Sequence, residues 1–179
     1  RHSLITASRL AGEKHVDWLV EAVAVAREHV SDISLDIYGK GKEEIALKEL
    51  IKTLHCEDCV HLCGQQNLEE VYKNYEAYLS GSTSEGFGLT LMEAVGSGLP
   101  IIGFDVRYGN RNFIDDGKNG YLISVHDKME RKERIQKLAE CIVRLFTEAD
   151  LEQFHRHSYE KAKAYFTKEV EKGWRNILK

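Results

Sequence analysis

Short apolar runs of β-forming residues alternate with longer stretches of helical period from one end of this chain to the other. "SLITAS" (3–8) leads into "KHVDWLVEAVAVAREHV", where Val16, Leu19, Val20, Val23 and Val30 fall near one helical face. "SLDIYG" (34–39) leads into "KEEIALKELIKTL", with Leu47, Leu50, Ile51 and Leu54 in helical register. "VHLCG" leads to "NLEEVYKNY", whose Asn67 can cap a helix showing Leu68, Val71, Tyr72 and Tyr75. "AYLSGS" precedes a glycine-rich turn and a helix expected to begin near Leu89. "PIIGFDV" and "YLISV" are two further strands, and helices are expected from about Arg131 to Phe146, from about Leu151 to Ala164, and near the end.

Strands separated by helices predict an α/β fold, a Rossmann-like, doubly wound parallel sheet covered on both faces, because each parallel connection needs a crossover. Ligands of such sheets sit beyond the carboxyl ends of the strands, near a topological switch point. The segments to inspect are therefore Arg9 and Lys14 after the first strand, Gly39 to Gly41 after the second and Gly64 to Gln66 after the third. Ser82 to Thr90 follows the fourth strand and Asp105 to Asn110 the fifth.

A chain of 179 residues with 42% hydrophobic residues, 30% charged residues and one proline has the composition of one globular domain with a single core. No apolar run is long enough to span a bilayer and no signal peptide is recognisable, so the sequence reads as cytoplasmic. A net charge of −4 argues against a general grip on nucleic acid and requires any phosphate to be held locally. Cys56, Cys59 and Cys63, with His55 and His61 nearby, suggest zinc, but the second knuckle of a structural zinc site is missing. Cys63 fits better as a small apolar strand residue. The chain opens almost at once in a strand, as though cut from a longer protein.

The most specific stretch is "STSEGFGLTLMEAVGSGLP" (82–100), which sets Glu85 and Glu93 around the turn Gly86-Phe87-Gly88. Glycines at 86 and 88 permit a sharp turn, so a helix starting near Leu89 aims its free N–H groups at the strand ends and forms an anion site from backbone. A glycosidase pair would use the same two carboxylates, but it leaves Arg9, Lys14 and the helix end unexplained. A metal site would draw on Asp115 and Asp116 of "IDDG", which fit a polar turn better, with Gly117 and Gly120 tolerating positive φ. An anionic leaving group accounts for all of these features together.

The motifs "SRLAGEKH", "YGKG", "CGQQN", "STSEGFGLTLMEAVGSGLPIIGFD" and "DGKNGYLI", in this order over nearly the whole chain, resemble the C-terminal half of the family 4 retaining glycosyltransferases of GT-B fold. The resemblance implies that residues 1–179 form the nucleotide-sugar-binding domain and that an N-terminal acceptor domain is absent. It also implies that Arg9 and Lys14 hold the donor diphosphate, and that Glu85, Gly86, Phe87 and Gly88 contact the sugar. By the same resemblance the amides of Leu89 and Thr90 meet phosphate, Glu93 accepts the ribose hydroxyls, and Gln65 and Gln66 meet the base. Arg9, Lys14 and Glu85 are thus the catalytic candidates, and Gly39 and Gly41 join the donor-binding set. A metal-independent reaction with no cofactor is implied.

More narrowly, "ITASRLAGEKHVDWLVEAV" with "SGLPIIGFDVRYGN" is similar to the O-GlcNAc transferases of bacterial accessory secretion systems. These glycosylate Ser and Thr of serine-rich repeat adhesins from UDP-GlcNAc beside a homologous partner subunit. The full-length protein would then be cytoplasmic or peripheral at the membrane. Three alternatives stand beside this reading: a poly(glycerol phosphate) teichoic acid glucosyltransferase, a UDP-sugar epimerase, and a non-catalytic partner subunit.

Overall fold

The computed structural model describes residues 2–84, 86–106, 108–126 and 128–165. Among them are six strands, β1 (Ser3–Ala7), β2 (Ser34–Tyr38), β3 (Val60–Gly64), β4 (Ala77–Ser80), β5 (Ile101–Phe104) and β6 (Gly120–Ile123), all at the predicted places. They form one sheet in the order β3-β2-β1-β4-β5-β6, with every neighbouring pair parallel. The direction of winding reverses between β1 and β4, which fixes the switch point.

The strands read as continuous apolar runs because both faces of the sheet are covered. Leu4, Leu35, Ile37, Ala77, Leu79, Ile102, Phe104, Tyr121 and Ile123 enter one core. That core is closed by α1 (Val16–Ala26), α2 (Glu44–Thr53) and α5 (Arg131–Thr147). Ile5, Ala7, Tyr38, Tyr78 and Ile101 enter the other, under α3 (Leu89–Gly96) and the short α4 (Asn110–Phe113). The last described helix, α6 (Leu151–Ala162), serves both cores: Phe154 lies in the first and Ala162 in the second.

Two helical expectations are corrected. "NLEEVYKNY" gives only a 3-10 turn at Tyr72–Asn74, and Asn67 Oδ1 accepts from the Glu69 N–H (3.1 Å), two residues on, instead of capping a helix. Tertiary contacts claim this segment: Tyr72 is buried, Tyr75 hydrogen-bonds Asp36, and the Glu76 carboxylate accepts from the Ser3 N–H. A nine-residue stretch has too little helical cooperativity to resist them. The first helix stops at Ala26, so Val30 packs from a following turn, not from the helix face. The short α4 carries no periodicity that could have announced it, and the helix expected near the end lies outside the described residues.

Candidate functional site

Beyond the carboxyl end of β1 the chain continues beside the end of β2. The Ser8 N–H donates to the Tyr38 carbonyl (3.0 Å) and the Leu10 N–H to the Lys40 carbonyl (3.0 Å). This approach explains the glycines of "YGKG". A Cβ on Gly39 would lie 1.9 Å from the Ser8 carbonyl oxygen, and one on Gly41 would lie 2.1 Å from that of Leu10. Both glycines make room for the neighbouring backbone, and Gly39 also lines the hollow next to it.

That hollow, of about 250 Å³, lies over the ends of β1, β2 and β3 and brings together Arg9, Tyr38, Gly39, Gln65, Gln66 and Thr90. Arg9 is mostly exposed and its Nη2 meets Glu13 Oε1 at 3.1 Å, a surface pair weak enough to yield to a better anion. Lys14 does not line this hollow. It ends a 3-10 turn, Gly12–Lys14, that packs on the loop after β4: the Thr83 N–H donates to the Glu13 carbonyl, and a Cβ on Gly81 would meet the carbonyls of Lys14 and His15. Lys14 therefore stands at the β1–β4 switch point, beside the hollow and not inside it.

On the far side of the switch, Gly88 takes the left-handed conformation (φ 85°) at the N-cap of α3. The first bonds within this helix run from the Leu91 and Met92 amides to the Gly88 carbonyl, so the amides of Leu89 and Thr90 precede the ladder. The helix start is anchored by Tyr78, whose hydroxyl lies 2.8 Å from the Ala7 carbonyl and 3.0 Å from Thr90 Oγ1. One buried phenol on β4 thus ties the first turn of α3 to the end of β1. Phe87 is half-exposed and packs edge-on against Phe113 (5.6 Å between ring centres), Leu89 is exposed, and nothing crowds Gly86.

Glu93, in the second turn of α3, lines an adjoining hollow with Asn67, Tyr72 and Ser97, and Leu68 borders both hollows. Its Oε2 accepts a hydrogen bond from the Tyr72 hydroxyl (3.0 Å). Burial first, then the neighbouring Tyr78 and Glu93, push the Tyr72 phenol far above its ordinary pKa, so it stays a donor. Glu85 lies outside the described residues.

Two features were missed in the sequence. Tyr38, on the hollow's wall, hydrogen-bonds Tyr75 (2.9 Å); Tyr75 donates to Asp36 Oδ2 (2.6 Å), and Asp36 Oδ1 meets His61 Nδ1 (2.8 Å). The available signal was an aspartate inside the apolar strand "SLDIY", which needs polar partners. The second is His15, left-handed at φ 43°, stacked on Trp18 (3.6 Å between centres) with Nε2 3.1 Å from Thr83 Oγ1. Burial leads the causes that lower the His15 pKa. The folded state therefore favours the neutral ring, and its contribution to stability is intact above the unfolded value of about 6.5 and declines as pH falls below it. We expect His15→Gln to flatten the fall in melting temperature below about pH 6.5; an identical pH profile in the variant would exclude His15 as its source.

No group of three or more His, Cys, Asp or Glu is placed to hold a metal among the described residues. Cys56 and Cys59 are buried free thiols, and burial pushes the Cys59 thiol up to about 12. Cys63, half-buried, packs against the second core. Asp115 pairs with Lys161 (2.7 Å) and Asp116 accepts from the Leu122 N–H, while Gly117 has φ 72° and Gly120 φ 149°, as a polar turn requires. Asp105 is engaged by Arg111 through two bonds (2.7 and 2.9 Å), and Asn110 is buried with its Nδ2 on the Phe104 carbonyl (2.8 Å).

A doubly wound parallel sheet with a cation, glutamines and a helix N-terminus gathered at its carboxyl edge, beside the switch point, is the form in which Rossmann-type domains receive phosphorylated ligands. The chain matches the family model for glycosyl transferases group 1 over residues 2–150, and it belongs to that family. It is 53% identical over 178 residues to the UDP-N-acetylglucosamine–peptide N-acetylglucosaminyltransferase GtfA subunit of Limosilactobacillus reuteri, covering 99% of this chain and 35% of that protein. The crystal structure of the pneumococcal O-GlcNAc transferase GtfA in complex with UDP and GlcNAc superposes with a TM-score of 0.93 at 49% identity, over 98% of this chain and 35% of that one. A GtfA/B complex gives a TM-score of 0.94 at 51% identity, over 99% and 35%. The fold is accordingly the Rossmann-like layer of a GT-B glycosyltransferase, and the chain spans about a third of the length of the relatives it matches. No helix among the described residues is long and apolar enough to cross a membrane.

Proposed function

We propose that this chain is the donor-binding half of a family 4 retaining glycosyltransferase that moves GlcNAc from UDP-GlcNAc to Ser or Thr of a serine-rich repeat adhesin. The observation that carries the reading is the meeting of Arg9, the glutamines 65 and 66 and the first turn of α3 at one hollow on the carboxyl edge. Identity of 53% to a GtfA subunit across nearly the whole chain supports the choice of sugar and of a peptide acceptor. The likeness to a GtfA/B complex supports a homologous partner subunit, and the remaining part of a longer protein would supply the acceptor wall of the cleft. The setting would be the cytoplasm, with peripheral membrane contact in the full-length protein.

In this mechanism the bond between the anomeric carbon and the UDP oxygen breaks while the acceptor hydroxyl attacks the same face of the sugar and gives up its proton to the departing diphosphate. Negative charge grows on the departing diphosphate. Arg9, Lys14 and the amides of Leu89 and Thr90 stabilise it without reorganising, which is the main electrostatic source of rate in such sites. Glu85 with Gly86, Phe87 and Gly88 would hold the sugar, Glu93 the ribose, and Gln65 with Gln66 the base. No metal ion is needed where two cations and a helix end share the anion.

Arg9→Ala and Lys14→Ala are each expected to weaken UDP binding by about 1.5 to 3 kcal/mol, roughly 10- to 150-fold, with binding to the unaltered chain surviving EDTA. Calorimetry decides. Unchanged affinity in both variants removes the two residues from the site, and binding lost to EDTA but restored by Mg²⁺ replaces them with a carboxylate-held ion.

A further inference from the structure

The hydrogen bond between Tyr72 and Glu93 does more than satisfy a buried phenol. Tyr72 is 1% exposed, its ring lies against Tyr78 (6.4 Å between centres), and among the described residues Glu93 is the partner of its hydroxyl. Glu93 is itself exposed, on a helix face where a glutamate ordinarily samples several rotamers. Here Oε2 is held at 3.0 Å, and Oε1 has no protein partner among the described residues. The bond also fixes where the carboxylate stands: on the wall of the hollow that shares Leu68 with the one containing Arg9.

We propose that Tyr72 is a positioning residue for nucleotide recognition: by holding one oxygen of Glu93, it presents the other to the ribose hydroxyls of the bound nucleotide. The inference rests on the reading of Glu93 as the ribose contact. It assigns to the 3-10 turn between β3 and β4 a part in selecting the ligand. Tyr78 and Tyr72 then act as a pair, the first setting the start of α3 at Thr90 and the second setting its next turn at Glu93.

The phenol is suited to this task. Burial holds its pKa well above the ordinary range, so it stays protonated and continues to donate to Glu93. A carboxylate held in one orientation before the ligand arrives loses less side-chain freedom on binding, and that saving appears as affinity and as discrimination.

The experiment compares UDP with 2′-deoxy-UDP by calorimetry on this chain, on Tyr72→Phe, on Glu93→Gln and on the double variant, each checked by thermal melting. The unaltered chain should favour UDP, and Tyr72→Phe should reduce that preference by roughly 3- to 10-fold, the usual scale for one ordinary intramolecular hydrogen bond. In the Glu93→Gln background the same change at 72 should have little further effect. A merely structural tyrosine would lower the melting temperature and leave the ratio of the two affinities in place. If Glu93→Gln abolishes the preference and Tyr72→Phe keeps it in full, the inference is overturned and the ribose reading stands. If the unaltered chain and Glu93→Gln bind both nucleotides alike, the ribose reading falls and takes the inference with it.

Discussion

Incubated with UDP-GlcNAc and a serine-rich peptide, this chain is expected to bind the nucleotide and to transfer no sugar. Binding follows from the fold: the sheet has a core on each face, and every group assigned to the nucleotide lies on elements within the chain. Transfer also requires an acceptor hydroxyl held against the anomeric carbon in a site closed to water. The described residues give only one wall of such a cleft, and the chain spans 35% of the length of the GtfA relative. Orientation of two reactants contributes about 7 to 11 kcal/mol to barrier reduction, so losing most of it places turnover below detection. Mass spectrometry of the peptide beside a full-length control reads the result. Robust glycopeptide formation by this chain alone would show that the acceptor site lies within it.

Gly39→Ala is expected to damage the fold directly. Alanine at φ 140° is strained in any surroundings, at about 1 to 3 kcal/mol. Its Cβ would also lie 1.9 Å from the Ser8 carbonyl oxygen, so the two backbones must separate. Separation breaks the bonds from Ser8 to Tyr38 and from Leu10 to Lys40, at about 1 kcal/mol each. A total loss of about 4 kcal/mol lies in the upper tail for single substitutions and would lower the melting temperature by roughly 8 to 16 °C. Urea denaturation measures it. A loss below about 1 kcal/mol accompanied by lost UDP affinity would return Gly39 to its other reading, room for the ligand itself.

The alternation of β-forming runs with helical periods determined the architecture of this protein. Each strand needs apolar residues on both of its faces once helices cover the sheet twice, and that demand is written locally, residue by residue. The same logic placed the candidate residues at the carboxyl edge, because in a parallel sheet every strand points there and its following loop must be exposed. Gly88 and the start of α3 were legible too, since a left-handed cap and a helix signal are short-range features.

What the sequence could not determine is how those loops are shared out once the strands are ordered β3-β2-β1-β4-β5-β6. That order puts the end of β1 between the loops after β2 and β4, so Arg9 turns to one and Lys14 to the other. It makes the glycines of "YGKG" serve a neighbouring backbone, and it draws "NLEEVYKNY" out of helical form so that Tyr72 can reach Glu93, 21 residues away along the chain. These partners are distant in sequence, and a side chain's local pattern records whether it is buried but not what it is buried against; only the packed tertiary structure supplies that.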